Sequence, residues 1–412
     1  MELLDTREVQ RLRGVRQLGT AYLVYPGAVH TRFEHSLGTA WLCRRLLAAV
    51  EEFQGPVLAP HQRLAVEAAA LLHDFTHIPF GHTLEDERRV FPRHDTPERI
   101  RAQLPRGELG KALKKLDLLE PVREILVGQA EPFLCELVSG TVGADLLDYL
   151  ARDAYFCGLT QRYDERIFRS FRVDERGLYL DAQKSGLIRQ DVLSEVVHLL
   201  RLRYFLSERV YFHHTKVASG AMICRAVEAA VGEGLTLEEL SRLTDERLLA
   251  LLETRYASVP EVARLLAHLA SRRLYKRVYV LTRRIGEERV KWFVDQYHYL
   301  ASARRAAEEH LARKLRLAPG ELIVYCPALK MQLKEAELRV QVGEGRPRPL
   351  SELKLSDIEV LREKHPDLWK FYVFLAPDKK DRASRVAAAC EEHFQQANHL
   401  PALQSGQMYL GL

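Results

Sequence analysis

The feature that most constrains this chain is the apolar periodicity of its first two-thirds. Segments such as "LAVEAAALLHD" and "VLSEVVHLLRLRYFLSERVYF" repeat apolar residues every three or four positions, the pattern of one helix face rather than the alternation of a strand. Such stripes must be buried against one another, which predicts a mainly helical bundle. At 412 residues a large core is available, and length admits two or three domains at about 150 residues each. A hydrophobic content of 47% with 28% charged residues is that of a soluble globular chain.

The texture changes near Glu321. There "ELIVYC", "ELRVQV" and "KFYVFLA" are short β-prone runs, separated by "GEGRPRP" and a helical "LSDIEVLREKHPDLW". They predict a small antiparallel sheet with helices packed on it, residues 343–348 forming a hairpin tip and 384–396 a closing helix. The expected organisation is a catalytic unit over residues 1–220, a helical extension over 221–320 and a small α+β lobe over 321–412. One segment breaks the helical pattern early: "TAYLVYPGAVH", Thr20 to His30, is expected as an extended loop because Pro26-Gly27 is a turn signal.

Several classes are excluded by composition. The six cysteines are scattered without a C-x-x-C pair, so neither a disulfide framework nor a zinc ribbon is indicated, and they read as reduced, buried residues. The N-terminal "MELLDTREVQRLRG" lacks the apolar region of a signal peptide, and no charge-free run is long enough to span a bilayer, which predicts a cytoplasmic protein with no membrane partner. A net charge of +5 suits small phosphate-bearing anions better than nucleic acid.

Candidate chemistry concentrates in "HDFTHIPFGH", His73 to His82, with three histidines and an aspartate in ten residues. The preceding stripe predicts a helix ending near His77, because Pro79 disfavours helical geometry at Ile78. His73 and Asp74 would then sit on its last turn, with His77 one turn beyond on the same face. Imidazole and carboxylate suit a divalent metal, but two ligands cannot complete its shell. A histidine at a helix C-terminus is also ordinary on electrostatic grounds, so this stretch alone reads either way. A second pair, His94-Asp95, precedes Thr96 and Pro97, an N-cap and first-turn proline that place it in a loop.

Two further segments add weight. "HTRFEHSLGTA" places His35 at the start of an apolar-striped helix, three residues after Arg32. In "GADLLDYLARDAYFCG", Asp145, Tyr149, Arg152 and Asp153 fall on one helix face, readable as a solvated salt-bridged surface or as a face carrying a buried ligand. A third helix, "RLRYFLSERVYFHHTK", would align Arg203, Ser207, Tyr211 and His214, either to grip phosphate or to snorkel over apolar neighbours. The basic run from Arg272 to Lys291 reads as a solvated helical face, with nucleic-acid binding the less favoured alternative.

In order, His35, His73-Asp74 and Asp145 form H…HD…D. With "DTREVQRLRGVRQLGTAYLVYPGAVHTRFEHSLG", "LLHDFTHIPFGH" and "DYLARDAYFCG", the chain resembles the HD-domain metal-dependent phosphohydrolases, in particular the deoxynucleoside-triphosphate triphosphohydrolases of the sterile-alpha-motif-and-HD type and their bacterial relatives. The likeness extends to "ELIVYCPALKMQ" and "KFYVFLAPDKKDR", with no counterpart of the sterile-alpha-motif domain. The resemblance implies an HD helical bundle with a small C-terminal α+β lobe. It implies His35, His73, Asp74 and Asp145 as ligands of a divalent ion (Mn, Fe, Mg, Zn or Ni). It also implies attack of activated water on the α-phosphate of a dNTP, releasing deoxynucleoside and tripolyphosphate. His77, His82, Glu85 and His94 match catalytic positions around the scissile phosphate. Arg32, Tyr149 and Arg203 match phosphate contacts, and Gln17, Leu18, Asp153 and Tyr211 match positions lining sugar and base. Asp5, Gln10 and Arg13 resemble part of an allosteric nucleotide site, which implies a nucleotide activator and a homo-oligomer, dimer or tetramer. Two positions depart from the vertebrate pattern: a phosphate-gripping lysine is Leu146 here, and a catalytic-pocket aspartate is Glu85. Leu146 leaves room for a monophosphate, a cyclic nucleotide or a nucleic-acid end as substrate.

Overall fold

Thr31 begins the long helix Arg32–Gln54. The Glu34 carboxylate accepts hydrogen bonds from the Thr31 N–H at 2.6 Å and from its hydroxyl at 3.0 Å, satisfying groups that a helix start leaves open. This helix packs against Pro60–Leu72, which starts on a proline, and Ala144–Phe156. Between them lie Leu42, Leu46 and Val50, Ala65, Ala69 and Leu72, and Leu147, Leu150 and Ala154, all buried. Alanines on Pro60–Leu72 let its axis approach that of Arg32–Gln54 closely, and each buried leucine contributes about 1.5–3 kcal/mol. The computed structural model describes residues 1–329, 337–343 and 345–405. Lys330 to Gln332 of "ELIVYCPALKMQ" and Glu344 of the expected hairpin tip lie outside the described residues.

A three-stranded antiparallel sheet has the order Lys276–Thr282, Lys370–Leu375, Leu322–Tyr325. Its registers include Val280 opposite Tyr372 and Val324 opposite Val373. Side chains alternate between two buried faces. Leu281, Val324, Phe371 and Val373 meet Phe293, Leu311 and Phe394 on one side, while Val280, Ile323, Tyr372 and Phe374 meet Val217, Met222 and Leu265 on the other. Burial on both faces explains why "KFYVFLA" is an unbroken apolar run. The closing helix spans Ala383–Phe394, and Arg339–Gln341 pairs with Arg348–Pro349 as a hairpin.

The structure corrects four expectations. The run Arg272 to Lys291 is not a solvated helix: its centre, Lys276–Thr282, is an edge strand with Tyr279, Val280 and Leu281 buried, Arg277 lying on it and the other arginines to either side. "ELRVQV" does not join the C-terminal sheet, because Arg339–Gln341 pairs in parallel with Gly177–Asp181 of a separate four-stranded sheet. Thr20 to His30 is not extended: Gly19, with φ +53°, opens a 3-10 turn, Gly19–Leu23, followed by further tight turns. The helix Gln190–Leu206 gives way to a π turn, Ser207–Tyr211, and His213 caps a new helix, His214–Gly232, by accepting the Thr215 N–H. His214 therefore does not share a helix with Arg203. Among the described residues no helix is long and apolar enough to cross a membrane.

Candidate active site

The helix before the HD pair ends at Leu72, not near His77. Phe75 N–H reaches Leu72 O and His77 N–H reaches Asp74 O, bonds one residue shorter than helical that turn the chain before the proline acts. His73 and Asp74 thus fan out from a turn. Across from them stand His35, in the first turns of Arg32–Gln54, and Asp145, in the first turn of Ala144–Phe156, where a carboxylate is favoured by the helix dipole.

The donor atoms converge. His35 Nε2 lies 3.1 Å from both His73 Nε2 and Asp145 Oδ1, and His73 Nε2 lies 3.6 Å from Asp145 Oδ1. These three donor atoms form one convergent group, and Asp74 stands at its edge, Oδ1 at 3.5 Å from His73 Nε2 and Oδ2 at 3.8 Å from His35 Nε2. Neighbouring ligands held about 2.1 Å from one ion stand about 3.0 Å apart in an octahedral shell and about 3.4 Å in a tetrahedral one, so the set fits a divalent cation. The tautomers agree. His73 Nδ1 lies 2.8 Å from the Ala70 carbonyl and His35 Nδ1 lies 2.7 Å from Asp148 Oδ2. Oxygens of these kinds only accept, so each Nδ1 carries the proton and each Nε2 turns a lone pair inward. Burial opposes charge on His35, but hydrogen bonds to Asp145 and Asp148 hold its pKa up at about 10.

Beside this set lies a second cluster. His77 and His94 stack with ring centroids 3.4 Å apart, and His82 meets both edge-on. Glu85 lies beneath them, Oε2 at 3.0 Å from His94 Nδ1 and 3.4 Å from His77 Nδ1. Burial, followed by the nearby Arg32 and His94 charges, lowers the His77 pKa to about 3. Burial also opposes charge on His94, yet hydrogen bonds to Asp74 and Glu85 raise its pKa to about 9. The two stacked rings are thus pushed in opposite directions, His77 toward the neutral form and His94 toward the protonated one. Glu85 stays ionised despite burial because His77 and His94 flank it. The π turn Thr83–Glu87 delivers Glu85, and Gly81 at φ +43° precedes it, where a Cβ would sit 2.7 Å from Arg32 Nη2. Arg32 is buried and binds Asp74 Oδ2 at 2.5 Å.

Two cavities meet here. The smaller, about 390 Å³, is lined by His35, His73, Asp74, Asp145, Arg32 and His94. The larger, about 680 Å³, takes in Leu18, Asp153, Arg203 and Tyr211. Gln17, His82, Arg93 and Tyr149 line both. Asp153 is buried between His30 Nε2 at 2.8 Å and the Tyr211 hydroxyl at 2.7 Å. The Arg203 guanidinium lies over the rings of Tyr149 and Tyr211 at 5.1 and 5.3 Å. Leu146 is buried in the core. Asp5, Gln10 and Arg13 line neither cavity; Gln10 accepts from Arg13 Nε at 2.8 Å, and Arg13 covers the Phe33 ring at 3.7 Å.

Comparison with known proteins places this geometry. Residues 32–134 match the HD domain, and residues 165–397, more than half the chain, match the HD associated region. The chain belongs to the HD-domain phosphohydrolases. It is 33% identical over 258 residues to an uncharacterised protein, MJ1154, of Methanocaldococcus jannaschii, covering 61% of this chain and 51% of that protein. It is 27% identical over 330 residues to the deoxynucleoside triphosphate triphosphohydrolase SAMHD1 of Danio rerio, covering 67% and 52%. This HD chain therefore spans about half the length of the curated relatives it matches. A phosphohydrolase structure from Bacteroides thetaiotaomicron shares the fold, with a TM-score of 0.69, 24% identity and coverage of 91% and 94%.

Sequence reasoning missed residues that act through others in this HD site. Asp148 holds His35 and also accepts from Arg152 Nε at 2.8 Å. Its signal was faint: an aspartate three positions after Asp145, off the face that drew attention. Gly38 faces it across the helix pair, where a Cβ would fall 1.8 Å from Asp148 Oδ1, so only glycine admits this contact. His30, at the end of the supposed loop, is the buried partner of Asp153.

Proposed function

We propose that this HD protein hydrolyses deoxynucleoside triphosphates at the α-phosphate, releasing deoxynucleoside and tripolyphosphate. The observation that carries the reading is the junction of the cavities. A convergent His/Asp set able to hold a divalent ion opens directly onto a pocket of two tyrosines, an arginine and a buried aspartate. A divalent ion in that set would supply Lewis acidity toward a phosphoryl oxygen and make water nucleophilic near neutral pH.

The chain's own residues do the rest. Protonated His94, its Nδ1 fixed by Glu85, would offer a proton at Nε2 toward the phosphate, while neutral His77 stays an acceptor. His82, whose Nδ1 lies 2.9 Å from Asp86 Oδ2, would donate a proton from Nε2 to the leaving oxygen. Arg203, beside Tyr149, would bind phosphate. Asp153 would accept from a sugar hydroxyl, and Tyr211, fixed by Asp153, would crowd a ribose 2′-hydroxyl. Among the described residues Gln17 Oε1 is buried without a partner, an acceptor left for the sugar. The likeness to proteins named as dNTP triphosphohydrolases supports the same substrate. With it come the proposals of a homo-oligomer and of an activating nucleotide near Asp5, Gln10 and Arg13.

Buried Leu146 favours a second reading, in which the same site cleaves a nucleoside monophosphate, cyclic nucleotide or nucleic-acid end, since no cation stands at that position. To separate the two, metal-replete protein is incubated with each dNTP and NTP and the products are resolved by chromatography, with His73→Ala as control. Deoxynucleoside plus tripolyphosphate, lost in the variant, is the expected result. Release of monophosphate, or no turnover of any dNTP, would sink the reading.

A further inference from the structure

We propose that Arg93 is a phosphate-binding residue that grips the polyphosphate portion of the substrate where the two cavities meet; this rests on the nucleotide reading above. Among the described residues, the arginines lining the smaller cavity are Arg32 and Arg93. Arg32 is 1% exposed and joined to Asp74. The Arg93 side chain is 45% exposed and lines both cavities, so it is the arginine that an entering anion meets.

Its guanidinium is already oriented. Nε and Nη2 each donate to Asp95 at 2.9 Å, and Nη1 donates to both Asp86 oxygens at 2.8 Å. The backbone behind it is anchored, since the Thr76 hydroxyl binds the His94 carbonyl at 2.6 Å and Pro97 starts a helix. Two carboxylates at the mouth of a phosphate site would repel the ligand if bare. Arg93 offsets one of the two charges while bonding both carboxylates, and its planar fork has a spacing that matches phosphate oxygens. An arriving phosphate competes with Asp95 for that fork, an exchange of hydrogen bonds with no covalent step. Asp86 meanwhile keeps its second partner, His82. The grip on the phosphate chain and the placement of His82 thus share one carboxylate.

The test is calorimetric titration of the metal-replete protein with inorganic tripolyphosphate and, separately, with a deoxynucleoside. Removing charge-assisted hydrogen bonds in Arg93→Gln is expected to weaken tripolyphosphate binding about ten- to hundredfold, with deoxynucleoside binding unchanged and part of the loss restored in Arg93→Lys. Asp95→Asn, which loosens one holder and leaves the guanidinium, is expected to bind tripolyphosphate at least as tightly as the wild type. Equal tripolyphosphate binding by wild type and Arg93→Gln overturns the proposal. So does a loss in Asp95→Asn as large as in Arg93→Gln, which only a structural strap would produce. If the wild type releases no tripolyphosphate from dNTPs while the Arg93 dependence persists, the nucleotide reading fails and the phosphate grip stands.

Discussion

His35 presents its Nε2 lone pair to the metal position because Asp148 holds the proton on Nδ1 at 2.7 Å. Partners of this kind typically set metal affinity within a factor of 10–100. Asp148→Asn keeps the shape and removes the charge, so it is expected to weaken metal binding about tenfold or more, measured by competition with a chelator. An unchanged affinity would show that Asp148 serves only its pairing with Arg152. At this scale the sequence was legible where chemistry is written in adjacent letters. His73 and Asp74 stand side by side, and His94 precedes a helix cap. Asp148 was illegible because its role depends on Gly38, 110 residues earlier in the chain, and no local pattern records a contact across two helices.

The π turn Thr83–Glu87, which delivers Glu85, is tied to the rest of the molecule by the residue that follows it. Arg88 is fully buried and donates to Glu228 at 2.7 Å, to Glu308 at 2.8 Å and to the Val324 carbonyl at 2.6 Å. One side chain thereby joins the turn that carries Glu85 to the helices His214–Gly232 and Ala301–Leu315 and to the strand Leu322–Tyr325. Arg304 adds a second cation on Glu228 at 3.1 Å. Arg88→Met would take from Glu308 its 2.8 Å cation and leave Glu228 to Arg304 and Arg225 alone, and a buried pair broken from one side costs about 3–5 kcal/mol. The expected outcome is a large fall in the thermal unfolding midpoint; a shift of a degree or less would contradict it. Elements were readable in proportion to how openly they display their period. The helices of the first two-thirds show one stripe each and were legible. The strand Lys276–Thr282 was not, because "VYVLT" is buried on both faces, so its residues do not alternate in polarity, and arginines at either end mimic a solvated helix.

Across the whole molecule, the proposed metal set draws on residues 35, 73, 74 and 145, carried by two helices and the turn after a third. An ion bound there stabilises only the folded arrangement. At a hundredfold excess over its Kd such a ligand adds about 2.7 kcal/mol, so Mn²⁺ is expected to raise the unfolding midpoint of the wild type and to leave that of His73→Ala nearly unmoved. Equal shifts in both would place the ion elsewhere. The fold class could be anticipated from periodicity, whereas the crossing of Arg339–Gln341 to the Gly177–Asp181 sheet could not, since a short β-prone run does not declare its partner.

Hydrolysis of dATP by the metal-replete protein in ¹⁸O-water tests the central claim most directly. Attack at the α-phosphate places the label in tripolyphosphate and leaves the deoxynucleoside 5′-hydroxyl unlabelled. Label in the deoxynucleoside, or deoxynucleoside monophosphate and pyrophosphate as products, would contradict the account.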